Sequence, residues 1–119
     1  MALLREYYEA VGLVTTRHRA TLIRFAGDGV MVLVNAPVAC ENPSQLGVQL
    51  AVDMQATVQA LVANWRARGY AIGFGMGAAM GPATVGTVGY EGRLDYTAIG
   101  NVVNLASRLC GLAADAQIL

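Results

Sequence analysis

The chain has 119 residues, 55% of them hydrophobic and 13% charged, with a formal net charge of zero. That length supports one domain with one ordinary core, and the balance excludes a disordered polymer; it leaves a deeply buried sheet or a sizeable apolar face that another chain covers. All eight basic residues are arginines and none form a stripe, which argues against nucleic-acid binding through phosphates.

Over residues 2–19, Leu4, Tyr8, Val11 and Val14 recur at three- and four-residue spacing and predict an amphipathic helix. The β-rich runs "ATLIRFA" (20–26) and "VMVLVNA" (30–36) flank Gly27-Asp28-Gly29 and predict two antiparallel strands joined by a hairpin. Residues 37–41 read as a loop. Asn42, Pro43 and Gln45 then supply an N-cap, a first-turn proline and an N3 glutamine. From there Leu46, Leu50, Met54, Val58, Leu61 and Trp65 form one apolar stripe along a helix that ends near Gly69.

The run "YAIGFGMGAAMG" (70–81) suits a strand except for its glycines, which mark the close approach of another backbone or a ligand. "ATVGTVG" (83–89) predicts a further strand, and "YEGRLDYTAIG" (90–100) a hairpin leading into another. Residues 101–114 form a last helix that is expected to carry Leu105, Leu109 and Leu112 inward, and "QIL" at 117–119 starts a strand. Strands and helices interleave with two hairpins, so the fold class is α+β, mostly antiparallel sheet with helices packed on one face.

Cys40 and Cys110 lack ligand spacing and are expected as buried thiols in a reducing compartment. His18 is expected at the surface, and Trp65 and the methionines at 31, 54, 76 and 80 in the core. No uninterrupted apolar run approaches the roughly 18 residues of a membrane span, and the N-terminus lacks a secretory pattern. The expectation is a soluble, cytoplasmic protein.

"GDGVM", "GPATVGTVG" and "LDYTAIGNVVNLASRL", in that order, resemble the catalytic domain of class III nucleotide cyclases, the adenylate and guanylate cyclase family, from about residue 22 to 119. The last piece is long and specific: Asp95-Tyr96-Thr97, Ile99-Gly100, Val103-Asn104-Leu105-Ala106 and Arg108 all match. The resemblance implies a ferredoxin-like nucleotide cyclase fold. It also implies attack of the ribose 3′-hydroxyl of ATP on its own α-phosphate, giving 3′,5′-cyclic AMP and pyrophosphate. Two Mg²⁺ or Mn²⁺ ions would lower the pKa of the hydroxyl and offset phosphate charge at sites shared by a homodimer.

Read by itself, Asp28 in a Gly-Asp-Gly turn is turn chemistry; the resemblance makes it a metal ligand. Asn104 and Arg108, four residues apart, share one helix face. The resemblance implies that Asn104 orients the ribose and that Arg108 stabilises charge on the α-phosphate, a task suited to a planar, permanently charged fork of donors. Thr97 and Arg24 match the adenine-recognition positions. Thr97 fits the threonine subgroup, whereas Arg24 stands where a lysine is usual, with a longer and wider head, and reads equally as a solvated strand residue. Asp95 is expected to pair with Arg93 or cap a turn.

The family's other metal aspartate lies in an upstream Phe-x-Asp-Ile-x-Gly-Phe-Thr motif, and nothing in residues 1–27 resembles it. Residues 1–119 are therefore expected to be a single partial cyclase-homology domain, truncated at both ends. One carboxylate is a poor site for two hard cations, so this stretch alone is expected to have the fold with little activity. The competing expectation is a catalytically inactive cyclase-homology domain used for regulation or nucleotide binding. The expected subunit interface involves residues 72–81 and 88–98.

Overall fold

The computed structural model describes residues 2–24, 30–35, 39–90 and 93–119, with residues 2, 24, 87–90 and 93–97 at the level of the backbone. Two helices, α1 (Ala2–Arg17) and α2 (Pro43–Ala67), build the core. Val11 and Val14 of α1 meet Leu50, Met54, Val58, Val62 and Trp65 of α2, all of them buried. Helical periodicity singles out all of these except Val62, beside which the expected Leu61 is only partly buried, and each buried side chain of this size contributes about 1.5–3 kcal/mol relative to exposure. Thr15, also buried, satisfies its hydroxyl by donating to the Val11 carbonyl one turn back, at 2.7 Å.

The start of α2 departs from the expected cap. Asn42 sits at the N-cap position and Pro43 in the first turn, but the Asn42 side chain bonds no helical N–H. It donates to the Gln45 side chain instead, at 3.2 Å. The far end follows expectation. Gly69 takes φ +95°, its N–H bonds the Arg66 carbonyl, and the Tyr70 N–H bonds the Trp65 carbonyl, so the last carbonyls are met by a left-handed glycine turn. Among the described residues α2 is the one helix long and apolar enough to cross a membrane, by length and composition only. Its buried residues are the ones that build the core.

Strands β1 (Thr21–Arg24) and β2 (Val30–Leu33) pair antiparallel, with Thr21 opposite Leu33 and Arg24 opposite Val30. Leu22, Val30 and Val32 pack against the α1–α2 core. A second antiparallel pair joins β3 (Thr84–Tyr90) to β4 (Arg93–Ile99), with Gly86 opposite Thr97. The last helix is α3 (Asn101–Leu112).

Between α2 and β3 the glycine-rich run lies beside the end of the chain in parallel register, bridged at Met76 and Ile118. The Met76 N–H donates to the Gln117 carbonyl at 2.9 Å, and the Leu119 N–H to the Met76 carbonyl at 3.0 Å. The "QIL" segment thus pairs as expected. Side chains here alternate with period two. Ile72, Phe74 and Met76 pack against the core, whereas a Cβ at Gly73, Gly75 or Gly77 would point at Asp115, at residues 113–114 or at α3. The glycines therefore admit another backbone, and that backbone is this chain's own.

Several expectations need correction. No residue of α3 is buried; Leu105 is 47% exposed and Leu112 70%, so they do not turn inward. Close helix–glycine contact replaces side-chain burial there. Met80 is 72% exposed and no core filler. Cys110 is exposed and Cys40 partly so; both thiols are free, not buried. His18 is largely covered, because its Nε2 lies 2.9 Å from Asp53 Oδ2. Trp65 is core as expected, with its indole N–H donated to Glu6 Oε2 at 2.6 Å.

Candidate functional site

Asn104 and Arg108 lie one turn apart on α3, and both are exposed. Among the described residues neither side chain has a hydrogen-bond or ion-pair partner. Three other arginines are paired, Arg17 with Asp53 at 3.7 Å, Arg66 with Asp115, and Arg68 with Glu6 at 3.0 Å, whereas among the described residues Arg5 and Arg19 have no ion-pair partner either. An unneutralised guanidinium one turn from a free carboxamide can meet an anion carrying hydroxyl groups.

The pose of that face is set by the backbone beneath it. A Cβ at Gly77 would collide with the Cys110 nitrogen and stand 2.5 Å from the Ala106 carbonyl oxygen, so α3 rests directly on the glycine run. Gly100, at the N-cap position with φ +158°, brings the end of β4 straight into the helix. Thr97 is on β4, four residues before α3 begins, so it shares a continuous piece of chain with Asn104 and Arg108.

Arg24 ends β1, a strand of the other sheet. Asp28 and its turn lie outside the described residues; the strands on either side are in place. The expected pairing of Asp95 with Arg93 likewise involves side chains outside the described set. The structure therefore joins Thr97, Asn104 and Arg108 through β4 and α3, and places Arg24 in the separate β1–β2 pair. Among the described residues no three His, Cys, Asp or Glu side chains gather as metal ligands.

Two polar clusters have no signature in the sequence. Asp53 receives His18, Arg17 and Thr57, and its carboxyl is held below its ordinary value, chiefly by the His18 hydrogen bond. Asp115 receives the Phe74 amide, Gln59 and Arg66, and its carboxyl lies well below the usual carboxylate range, with the amide bond the largest cause. A signal existed only for the indole: a buried tryptophan N–H requires an acceptor, and Glu6 at the same level of α1 supplies it.

The family model of the adenylate and guanylate cyclase catalytic domain matches residues 1–119. The chain is similar to "Adenylate cyclase 1" of Rhizobium meliloti (strain 1021), with 37% identity over 116 residues, covering 97% of this chain and 17% of that protein. It superimposes on the crystal structure of the adenylyl cyclase CyaB from P. aeruginosa with a TM-score of 0.82 at 30% identity, covering 98% of this chain and 62% of that one. The guanylyl cyclase Cya2 gives a TM-score of 0.82 at 29% identity, covering 98% and 60%. A rhodopsin-guanylyl cyclase catalytic core of converted specificity, at 18% identity and a TM-score of 0.76, shares the fold. The chain thus spans about a sixth of the curated relative's length and about three fifths of these solved domains.

Proposed function

The chain belongs to the adenylate and guanylate cyclase catalytic domain family, and on that premise we propose that it is the ATP-using part of a cytoplasmic, homodimeric adenylate cyclase. The reaction is cyclisation of ATP to 3′,5′-cyclic AMP with release of pyrophosphate. The observation that carries this reading is the pair of exposed, unpartnered side chains, Asn104 and Arg108, one turn apart on α3.

In this reading Asn104 holds the ribose, so that its 3′-hydroxyl faces the α-phosphate in line with the pyrophosphate leaving group. Arg108 meets the charge that grows on the α-phosphate oxygens, where a prepositioned donor is worth about 10²–10³ in kcat. Thr97 accepts a hydrogen bond from the adenine amino group, and Arg24 offers a cationic donor to the ring. Mg²⁺ or Mn²⁺, when bound, would acidify the 3′-hydroxyl and offset phosphate charge; Asp28 is the residue of this chain proposed to hold it.

Separation of the site residues supports sharing between subunits. Arg24 belongs to one sheet, whose two strands flank Asp28 in the sequence, and Thr97, Asn104 and Arg108 to the other sheet and the helix after it. A second copy brings one set opposite the other. Exposed Met80, Val85, Ile99 and Leu105 offer apolar surface for such an interface, which should bury upwards of about 1,000 Å².

ATP is favoured over GTP by Thr97 and by similarity to a protein named as an adenylate cyclase at 37% identity. Arg24, standing where lysine is usual, favours the alternative of a cyclase-homology domain that binds nucleotide without turnover. One experiment separates them. The domain, extended upstream to carry the family's second metal aspartate, is given Mn²⁺ with ATP or GTP, and cyclic nucleotide and binding are both measured. Cyclic AMP is the expected product. Cyclic GMP alone would reverse the substrate, and tight binding with no product would establish the inactive domain.

A further inference from the structure

Helix α3 carries Asn104 and Arg108, yet none of its residues is buried. Its pose cannot come from side chains keyed into a core. One attachment is the glycine face of the 72–77 run, on which its backbone rests. The other lies just past its end. There Asp115 Oδ1 accepts the Phe74 N–H at 2.8 Å and Gln59 Nε2 at 3.0 Å, while Oδ2 receives Arg66 Nη2 at 2.5 Å.

These donors come from two separate elements. Gln59 and Arg66 are on α2, and Phe74 is on the glycine run. Two of the three donors are themselves braced. Gln59 Nε2 also lies 2.8 Å from Gln55 Oε1, Arg66 Nε donates to the Ile72 carbonyl at 3.1 Å, and Gln55 Nε2 reaches the Gln117 carbonyl at 3.2 Å. The adjoining turn carries hydrogen bonds of its own, from the Ala116 N–H to the Phe74 carbonyl at 2.8 Å and from the Ala114 N–H to Gln117 Oε1 at 2.8 Å. Within it Ala116 takes φ +66°, a left-handed conformation unfavourable to alanine, so the Asp115 side chain helps to hold a strained turn.

We propose that Asp115, gripped by Phe74, Gln59 and Arg66, is a positioning residue for the cyclisation: it pins the C-terminal end of α3 and thereby places Asn104 and Arg108 against the substrate. This rests on the function proposed above. Arg108 is four residues from the last residue of α3, about 6 Å along the axis. A shift at the pinned end therefore reaches the guanidinium almost undiminished, and an error of about 1 Å in such a group costs up to about 10²-fold in rate.

The test compares Asp115→Ala, Asp115→Asn and Glu6→Gln in the extended dimer. Glu6 tethers α1 to Trp65 of α2 and to Arg68 just past its end and serves as the purely structural control. Asp115→Ala should lower kcat about 10–100-fold with KM within about threefold. Asp115→Asn keeps an acceptor for Phe74 and Gln59 and should recover most of that loss. Glu6→Gln should lower the melting temperature and leave kcat unchanged. With Arg108 already alanine, Asp115→Ala should lose most of its effect, because coupled residues are not additive. Loss of melting temperature alone, or an equal kcat loss without Arg108, would overturn the proposal. Amide hydrogen exchange decides independently of substrate. Exchange in Asp115→Ala should quicken across 101–112 and not in α1, and an unchanged α3 in that variant would overturn the pinning. Absence of cyclic nucleotide from the unmutated dimer would instead refute the function proposed above.

Discussion

Replacing Gly77 by alanine adds one methyl group where the structure has no room for it. The new carbon would run into the Cys110 nitrogen and lie 2.5 Å from the Ala106 carbonyl oxygen and 2.8 Å from the Leu109 carbonyl carbon. All three atoms are main chain of α3, so no side chain can swing aside. Carbon contacts become comfortable at about 3.5 Å, and the helix must therefore retreat by roughly 1 Å. Overpacking of this kind costs about 1–3 kcal/mol, which for a domain of this size lowers the melting temperature by roughly 3–15 °C. The same retreat carries Asn104 and Arg108 away from the phosphate, and a misplacement of about 1 Å costs up to about 10²-fold in kcat. Steady-state kinetics and thermal melts of Gly77→Ala in the extended dimer measure both. A folded variant with unchanged kcat and melting temperature would refute the seating of α3 on this glycine.

Gly47, inside α2, faces open space, with nothing within 4 Å of where an alanine methyl would sit, so Gly47→Ala should raise stability by about 0.5–1 kcal/mol, read by denaturant unfolding. Thr97→Ala should narrow the ATP/GTP ratio of kcat/KM more than it slows turnover, since one lost hydrogen bond is worth about 1 kcal/mol; an unchanged ratio would remove Thr97 from base recognition. Glu6, Asp53 and Asp115 all have carboxyls held below their ordinary values, in turn chiefly by Trp65, His18 and the Phe74 amide. Protons bind the unfolded chain first, so the stabilisation is complete above about pH 4–5 and falls as the pH drops through the depressed values. Melting curves between pH 6 and 3 should show that decline, and a flat profile would contradict the three clusters.

Periodicity made most of the architecture legible. The stripe from Leu50 to Trp65 and the pair Val11 and Val14 became the core because one face of each helix had nowhere else to bury its side chains. The glycines at 73, 75 and 77 correctly signalled an approaching backbone, but local sequence could not say whose. The same pattern misled at Leu105 and Leu112: helical spacing marks a face, and α3 meets its neighbour through main chain rather than through that face. Asn104 and Arg108 entered the candidate site because they sit in a long specific motif. Asp115 was not, since a carboxylate's partners at positions 59, 66 and 74 are set by how α2 and the glycine run cross near the chain's end, which no short window encodes.

The central claim is a nucleotide cyclase site built from two copies of the chain, with Asp28 from one and Asn104 and Arg108 from the other. It is tested most directly by mixing two inactive variants of the extended domain, Asp28→Asn and Arg108→Ala. Each alone should lose about 10²–10³ in kcat or more. A heterodimer of the two contains one intact site and one doubly damaged site, so cyclic AMP formation should return towards half of the unmutated rate per heterodimer. Heterodimers that demonstrably form and remain as inactive as either parent would contradict the shared site.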